Sequence, residues 1–395
     1  MVAHLTGCSR RTRRRGAVMG AAALIALAAI GLGAQAPSAA PPPTLTIDVQ
    51  VVDRDGLPIP GIAAEKFDIE VAGRKRRVVS ASLVQAASAT TADASSERQV
   101  YFVAVDALTF GPGASRAAID ATKALVETLP KGSLVGLVTF PGGPAVELTA
   151  DRGAIATALD GLAGQRQAQR SGSMGVTTAD AMEYIAANDR TAITQRICGT
   201  EEDNACPSLL EQEVAVVINT LETQARSSLG MLSEFTGRLG QIPGRKVLIL
   251  VSGGLAAAER PGGRPDVGNL PTTIGEAATR SNVAIYTLLL DRIRDFDRAD
   301  NQSARQASGA TNERDLLARW LDQFSTSAGG AMVKVQVGQT SGSDVYARIA
   351  RETAAFYRLT VESTDADRSE RPLRLRVRVD QRGATVRSRT QVAGR

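Results

Sequence analysis

Apolar and polar positions along this chain fall into two regimes. Leu45 to Val52, Phe67 to Val71 and Arg77 to Leu83 are short runs in which apolar and polar residues alternate, separated by turn residues at Asp55-Gly56 and Ala72-Gly73. Such alternation predicts half-buried strands. From Val100 the pattern changes. Val100 to Val105, Leu134 to Phe140, Val247 to Val251 and Val283 to Leu290 are continuous apolar runs rich in β-branched residues. These are expected of parallel strands covered by helices on both faces. Ala145 to Leu148 adds an antiparallel edge strand, and Met332 to Val337 a further strand.

Between them lie helical periods. Ile119, Thr122, Leu125, Val126 and Leu129 share one face, as do Ile155, Leu159 and Leu162. Leu210, Val214, Val217, Leu221, Leu232, Phe235 and Leu239 predict either one long helix or two with a break near Gly230. A short helix is expected around Ile274 to Ser281, and another on Leu316, Leu317, Trp320, Leu321 and Phe324. Asp291 to Asn312 is polar and reads as a surface excursion. Val345, Ile349 and Phe356 continue a helix, after which Tyr357 to Glu362, Leu373 to Val379 and Ala384 to Thr390 return to strand patterning.

The fold class is therefore α/β, with a mostly parallel central sheet and a small β-sandwich-like unit built from the terminal strands. The expected organisation is a leader over 1–36, a Pro-rich spacer over 37–44, an N-terminal β unit over 45–85 and a linker over 86–99. An alternating α/β domain follows over 100–355, with an insertion at about 164–244, and a C-terminal β unit covers 356–395.

Composition changes the picture in one respect. The formal charge is +5, but Arg10, Arg11, Arg13, Arg14 and Arg15 are the only charged residues before Pro37. Removing these 5 from the 46 basic residues leaves 41, against 41 acidic ones. The remainder is neutral, so the basic balance does not point to nucleic acid. It marks a targeting segment. The arginines form a basic n-region, Gly16 to Gly33 an apolar stretch, and Ala34-Gln35-Ala36 a small-x-small cleavage site. Pro37 disfavours cleavage there, which leaves open an uncleaved membrane anchor. Export to the periplasm or beyond is expected, with membrane contact only through this segment.

Cysteine usage agrees. Cys8 lies in the leader, while Cys198 and Cys206 bracket a polar loop that holds Glu201, Glu202 and Asp203. In an exported chain such a pair reads as a disulfide. The acidic trio is solvated loop charge, with weak Ca²⁺ binding as the alternative.

Catalytic chemistry is poorly supplied. The only histidine is His4, inside the leader, which removes Ser–His and Cys–His arrangements and histidine-ligated zinc from the remaining chain. Ser252 is not in a Gly-x-Ser-x-Gly elbow. Arg374, Arg376 and Arg378 alternate with Leu373, Leu375, Val377 and Val379, so they line one sheet face, either solvated or open to an anionic partner.

The middle segment resembles the von Willebrand factor type A domain. The likeness rests on Val100 to Asp106, Leu134 to Phe140, Gly244 to Leu255 and Asn282 to Thr287. Val51 to Ile62 with Glu65-Lys66-Phe67, and Tyr346 to Glu352 with Phe356 to Leu359, are similar to the flanks of exported bacterial VWFA-related domain proteins. That resemblance implies a Rossmann-like fold and a protein-binding role. It also implies a Mg²⁺ site built from an Asp-x-Ser-x-Ser loop, a later threonine and a second aspartate. Asp106 matches the first position. Leu108 and Phe110 stand in place of the serines, and Gly253 in place of the second aspartate. Thr177 or Thr178 matches the threonine, and Thr109 is a ligand only if the loop shifts.

The expectation is thus an exported, non-enzymatic interaction protein with an unnamed protein partner, a degenerate metal site and no cofactor. The alternatives are a Mg²⁺- or Ca²⁺-dependent adhesin that uses Asp106, and a carboxylate-based hydrolase. Asp106 also has a local reading, as an acceptor of loop amides or a cap. Gly253-Gly254 reads as a tight turn or close backbone approach.

Overall fold

The computed structural model describes residues 43–85, 99–166, 172–199, 205–258, 262–293, 304–337 and 343–394, with side chains omitted at 304–312 and 343. The leader 1–36, most of the spacer, linker residues 86–98 and Glu201, Glu202 and Asp203 lie outside these.

The N-terminal part forms strands β1 (Thr44–Val52), β2 (Phe67–Val71), β3 (Arg74–Arg76) and β4 (Val78–Gln85). The alternating α/β part follows. It comprises β5 (Val100–Asp106), α1 (Ser115–Thr128), β6 (Leu134–Phe140), β7 (Val146–Thr149), α2 (Arg152–Leu159), α3 (Thr178–Ala186) and α4 (Thr191–Cys198). It continues through α5 (Cys206–Arg238), β8 (Lys246–Ser252), α6 (Leu270–Arg280), β9 (Val283–Asp291), α7 (Ala304–Ser327), β10 (Met332–Gln336) and α8 (Ser343–Thr353). Strands β11 (Ala355–Glu362), β12 (Leu373–Val379), β13 (Thr385–Arg387) and β14 (Gln391–Val392) end the chain.

The six-stranded sheet runs β10-β9-β8-β5-β6-β7, parallel except for β7. From β5 the chain builds outward through β6 and β7, then returns to the other side of β5 for β8, β9 and β10. The winding direction therefore reverses between β5 and β8. In open α/β sheets the crevice at such a reversal, outside the carboxyl ends of the strands, is where ligands bind.

Every residue of β5 and β8 is buried, which is why their apolar runs do not alternate. Tyr101, Val103 and Val105 face α1, α2 and α8 through Leu125, Ile155 and Ile349. Phe102, Ala104, Leu248 and Leu250 face α5, α6 and α7 through Leu229, Ile274 and Leu321. Helix α5 is unbroken over 33 residues, about 50 Å long, so it outreaches the sheet. Its first half packs Leu210, Val214 and Ile218 against Tyr184 of α3 and Ile193 of α4, in a cluster that Ala256 and Leu317 of α7 join to the rest of the α/β part.

The terminal strands pair with each other. Two antiparallel four-stranded sheets, β13-β1-β11-β4 and β14-β12-β2-β3, share one apolar cluster that includes Ile47, Val49, Ile69, Val71, Tyr357 and Leu359. Strand β11 sits between β1 and β4, with Ile47 opposite Leu359 and Leu83 opposite Tyr357.

Three expectations need correction. Phe356 does not continue the helix of Val345 and Ile349: α8 ends at Thr353, and Phe356 lies in β11, paired with Val84 of β4. Helix α7 begins at Ala304, so the polar stretch 291–312 is not wholly an excursion: its end extends the apolar helix around Trp320. Strand β3 was not foreseen. Three successive basic residues hide it, and pairing with β2 rather than apolar content holds it in place.

Candidate functional site: the crest of the parallel sheet

At the switch point, Asp106 ends β5 and is fully buried. Its Oδ1 accepts from the Leu108 amide at 3.2 Å, which caps the short turn Ala107–Thr109. Thr109, also buried, donates its hydroxyl to the Asp106 carbonyl at 2.7 Å. The same Oγ1 accepts from the Gly253 amide at 2.8 Å. One threonine thus closes its own turn and ties it to the end of β8. Ser252 completes the corner by accepting from the Gly254 amide at 3.1 Å.

The two glycines mark where chains approach closely. A Cβ on Gly253 would lie 2.6 Å from Cγ2 of Ile293 and 2.7 Å from the Thr109 carbonyl oxygen. Gly254 has φ +107°, and a Cβ there would lie 2.6 Å from Cβ of Leu317 on α7. Opposite, the strand-like stretch after α2 covers the turn. Gln165 N donates to Ala107 O at 2.7 Å and Arg166 N to Phe110 O at 3.0 Å.

The residues aligned with a cation site are thereby dispersed. Phe110 is fully buried and belongs to the core beneath α1. Leu108 is half-buried. Thr177 caps α3, with its Oγ1 bonded to Asp180 Oδ2 at 2.7 Å and the Asp180 amide returning to it at 3.1 Å. Among the described residues no three of His, Cys, Asp or Glu gather in a group that could hold a metal. A hard cation needs six or more oxygen ligands, with charge among them. Asp106, a glycine without room for a side chain and a threonine committed to Gly253 do not fit that need.

Cys198 and Cys206 form a disulfide with Cα atoms 5.9 Å apart, joining the end of α4 to the start of α5. Among the described residues no helix is long and apolar enough to cross a membrane. Arg374, Arg376 and Arg378 share one exposed face of β12. Arg376 stands opposite Glu70 and Arg378 opposite Asp68 on β2, while Arg374 stands opposite Gln391.

Sequence reasoning missed the other end of the sheet. There the Tyr286 hydroxyl lies 3.0 Å from Gln50 Oε1 on β1 and 3.4 Å from Glu352 Oε2 on α8. Glu352 is fully buried and accepts from Arg348 at 3.1 Å and Arg387 at 3.4 Å. The Tyr101 hydroxyl meets Thr353 Oγ1 at 2.7 Å. Burial pushes both phenols far above their ordinary range, with Glu352 adding to the effect at Tyr286. These bonds fasten the bottom of the parallel sheet to β1 through Gln50 and to the end of α8 through Glu352 and Thr353. Tyrosines inside otherwise aliphatic strands were the one signal of it, because a buried phenol needs a partner.

No protein-family model matches the chain, and neither does any curated protein. Solved structures similar to it include a von Willebrand factor type A protein from Catenulispora acidiphila, at 11% identity and TM-score 0.31, covering 89% of this chain and 74% of that one. The SpRpn10 VWA domain is similar at 12% identity and TM-score 0.29, over 62% of this chain and 93% of that one. Three N-terminal domains of the type V pili tip protein Mfa5 from Porphyromonas gingivalis are similar at 14% identity and TM-score 0.19, over 56% and 28%. The fold rests on the strand order above rather than on these similarities.

Proposed function

We propose that this chain is an exported, non-enzymatic protein-binding module of the von Willebrand A-like class, whose sheet crest engages a protein partner without a cation. The observation that carries the reading is the Thr109–Gly253 contact. The position where the family places its second metal-binding aspartate is taken up by the chain's own backbone and by a threonine hydroxyl already used twice. Recognition is then by shape and surface polarity. The alternating α/β part is the binding domain, and the two terminal sheets form a β-sandwich-like platform for it. The disulfide supports a working life in an oxidising compartment.

The test has two measurements on the full chain. Mg²⁺ or Ca²⁺ at millimolar concentration is expected to leave the melting temperature unchanged, and crosslinked capture from the cell envelope is expected to recover the same partner with and without EDTA. A cation-dependent rise in melting temperature that Asp106→Ala abolishes would establish the adhesin reading instead.

A further inference from the structure

Where the bottom of the parallel sheet meets the terminal strands lies a side-chain cluster in which guanidinium groups outnumber carboxylates. Asp48 of β1 lies at its centre and is 9% exposed. Its Oδ1 accepts from Arg358 Nε at 3.2 Å and its Oδ2 from Asn282 Nδ2 at 3.3 Å. The Asn282 Oδ1 in turn accepts from Arg389 Nη1 at 2.9 Å. Arg245, directly before β8, holds its guanidinium 4.8 Å from the ring centre of Phe356, whose ring also has Arg358 at 5.3 Å.

Arg245 and Arg389 are both half-buried. Among the described residues neither has a carboxylate within ion-pair distance, and the Arg245 guanidinium makes no hydrogen bond. Three guanidiniums therefore gather about one carboxylate, leaving two positive charges unanswered. Burial lowers Arg389 to about 10, with the Arg245 charge as the next cause, and burial lowers Arg245 as well. Lys246, on the opposite face of β8 with its Nζ on the Ile242 carbonyl, adds to the positive field. Unanswered, partly desolvated charge is destabilising, and apolar residues of similar volume would avoid that cost.

We propose that this cluster binds a phosphate group, held between Arg245 and Arg389. The surplus of two positive charges matches a dianionic phosphoryl group. Guanidinium forks bind phosphate oxygens in pairs, with a geometry that lysine does not offer. Arg245 lies over the Phe356 ring while its N–H groups make no hydrogen bond, and Arg389 is held by Asn282. The same chemistry serves free phosphate and a phosphomonoester. The site lies at the opposite end of the sheet from the crest and does not depend on what the crest binds.

The test is calorimetric titration of the full chain in phosphate-free buffer with inorganic phosphate and, separately, with glycerol phosphate, at ionic strength matched with chloride. Saturable binding is expected. Arg245→Met and Arg389→Gln should each weaken it about tenfold or more, as loss of a charged hydrogen-bonding partner implies. Arg245→Met should also melt at or above the wild-type temperature without phosphate, because it removes an unanswered charge. A purely structural Arg245 predicts a lower melting temperature and no phosphate response in any variant, and that result overturns the proposal. So do heat effects that chloride reproduces, or wild-type affinity in both variants. Tighter binding of glycerol phosphate than of inorganic phosphate assigns an ester as the ligand, and the reverse order assigns free phosphate.

Discussion

Thr109 and Gly253, 144 positions apart, are joined by a 2.8 Å hydrogen bond from the Gly253 amide to the Thr109 hydroxyl. This bond lies at the one place where the parallel sheet reverses its winding, between the ends of β5 and β8. It ties the turn after β5 to the end of β8.

Restoring an aspartate to the crest is expected to damage the fold without creating a cation site. In Gly253→Asp the side chain enters space held by Ile293 and the Thr109 carbonyl. Overpacking of this kind costs about 1–3 kcal/mol. Urea denaturation measures the loss, and Mg²⁺ should not recover it.

Thr109→Val keeps the shape but removes both the donor to Asp106 O and the acceptor for Gly253 N. A buried amide left without its partner costs about 1–3 kcal/mol. Thr109→Ser, which keeps the hydroxyl, should lose much less, so the difference between the two midpoints isolates the hydrogen bonds from the packing.

Asp367 tests the terminal sheets. It is fully buried and accepts from Arg76 Nη2 at 2.8 Å and Nε at 3.0 Å. The Arg76 hydrogen bonds hold its carboxyl below the ordinary 3.8. A carboxyl depressed in the folded state adds stability above its unfolded value, and that stability is lost as pH falls through the folded value. Asp367→Asn should cost about 3–5 kcal/mol at neutral pH by leaving Arg76 uncompensated. It should also flatten the stability curve below about pH 4. Chemical denaturation between pH 2 and pH 7 reads both effects.

Lys246 carries the opposite sign. It is buried at the start of β8, and burial lowers its ammonium from 10.5 to about 8. Between those values the unfolded chain binds more protons than the folded one, so stability rises with pH across that window. Lys246→Met should remove this rise and add about 1–2 kcal/mol at pH 7. A set of thermal melts from pH 7 to pH 10.5 checks the slope.

Reducing the Cys198–Cys206 bridge, or replacing both cysteines by serine, should cost about 2–3 kcal/mol by releasing a short closed loop in the unfolded chain. The change should fall on α3, α4 and the first half of α5, whose core the bridge borders. Hydrogen exchange in those helices against the central strands distinguishes a local effect from a global one.

Much of the architecture was legible in the chain because burial writes itself locally. The runs at Val100, Val247 and Val283 are apolar on both faces because each strand is covered on both faces. The apolar spacing along α5 announced a helix but left open a break near Gly230, which the structure shows to be absent. That Leu108, Phe110 and Gly253 offer no side-chain oxygen could be read from residue type alone. The onset of α7 at Ala304 was not legible, since a polar helix end has no apolar period to announce it.

Residue type and short-range period were enough to place most strands and helices and to pick out Cys198 and Cys206 as a pair. They also showed that Leu108, Phe110 and Gly253 carry no oxygen-bearing side chain. Tertiary contacts were needed to see that Thr109 binds the Gly253 amide, that Phe110 turns inward, and that Asp48, Arg245, Arg358 and Arg389 meet beneath the sheet. Those contacts join residues far apart in the chain, and their energies depend on burial and distance, which no local pattern encodes.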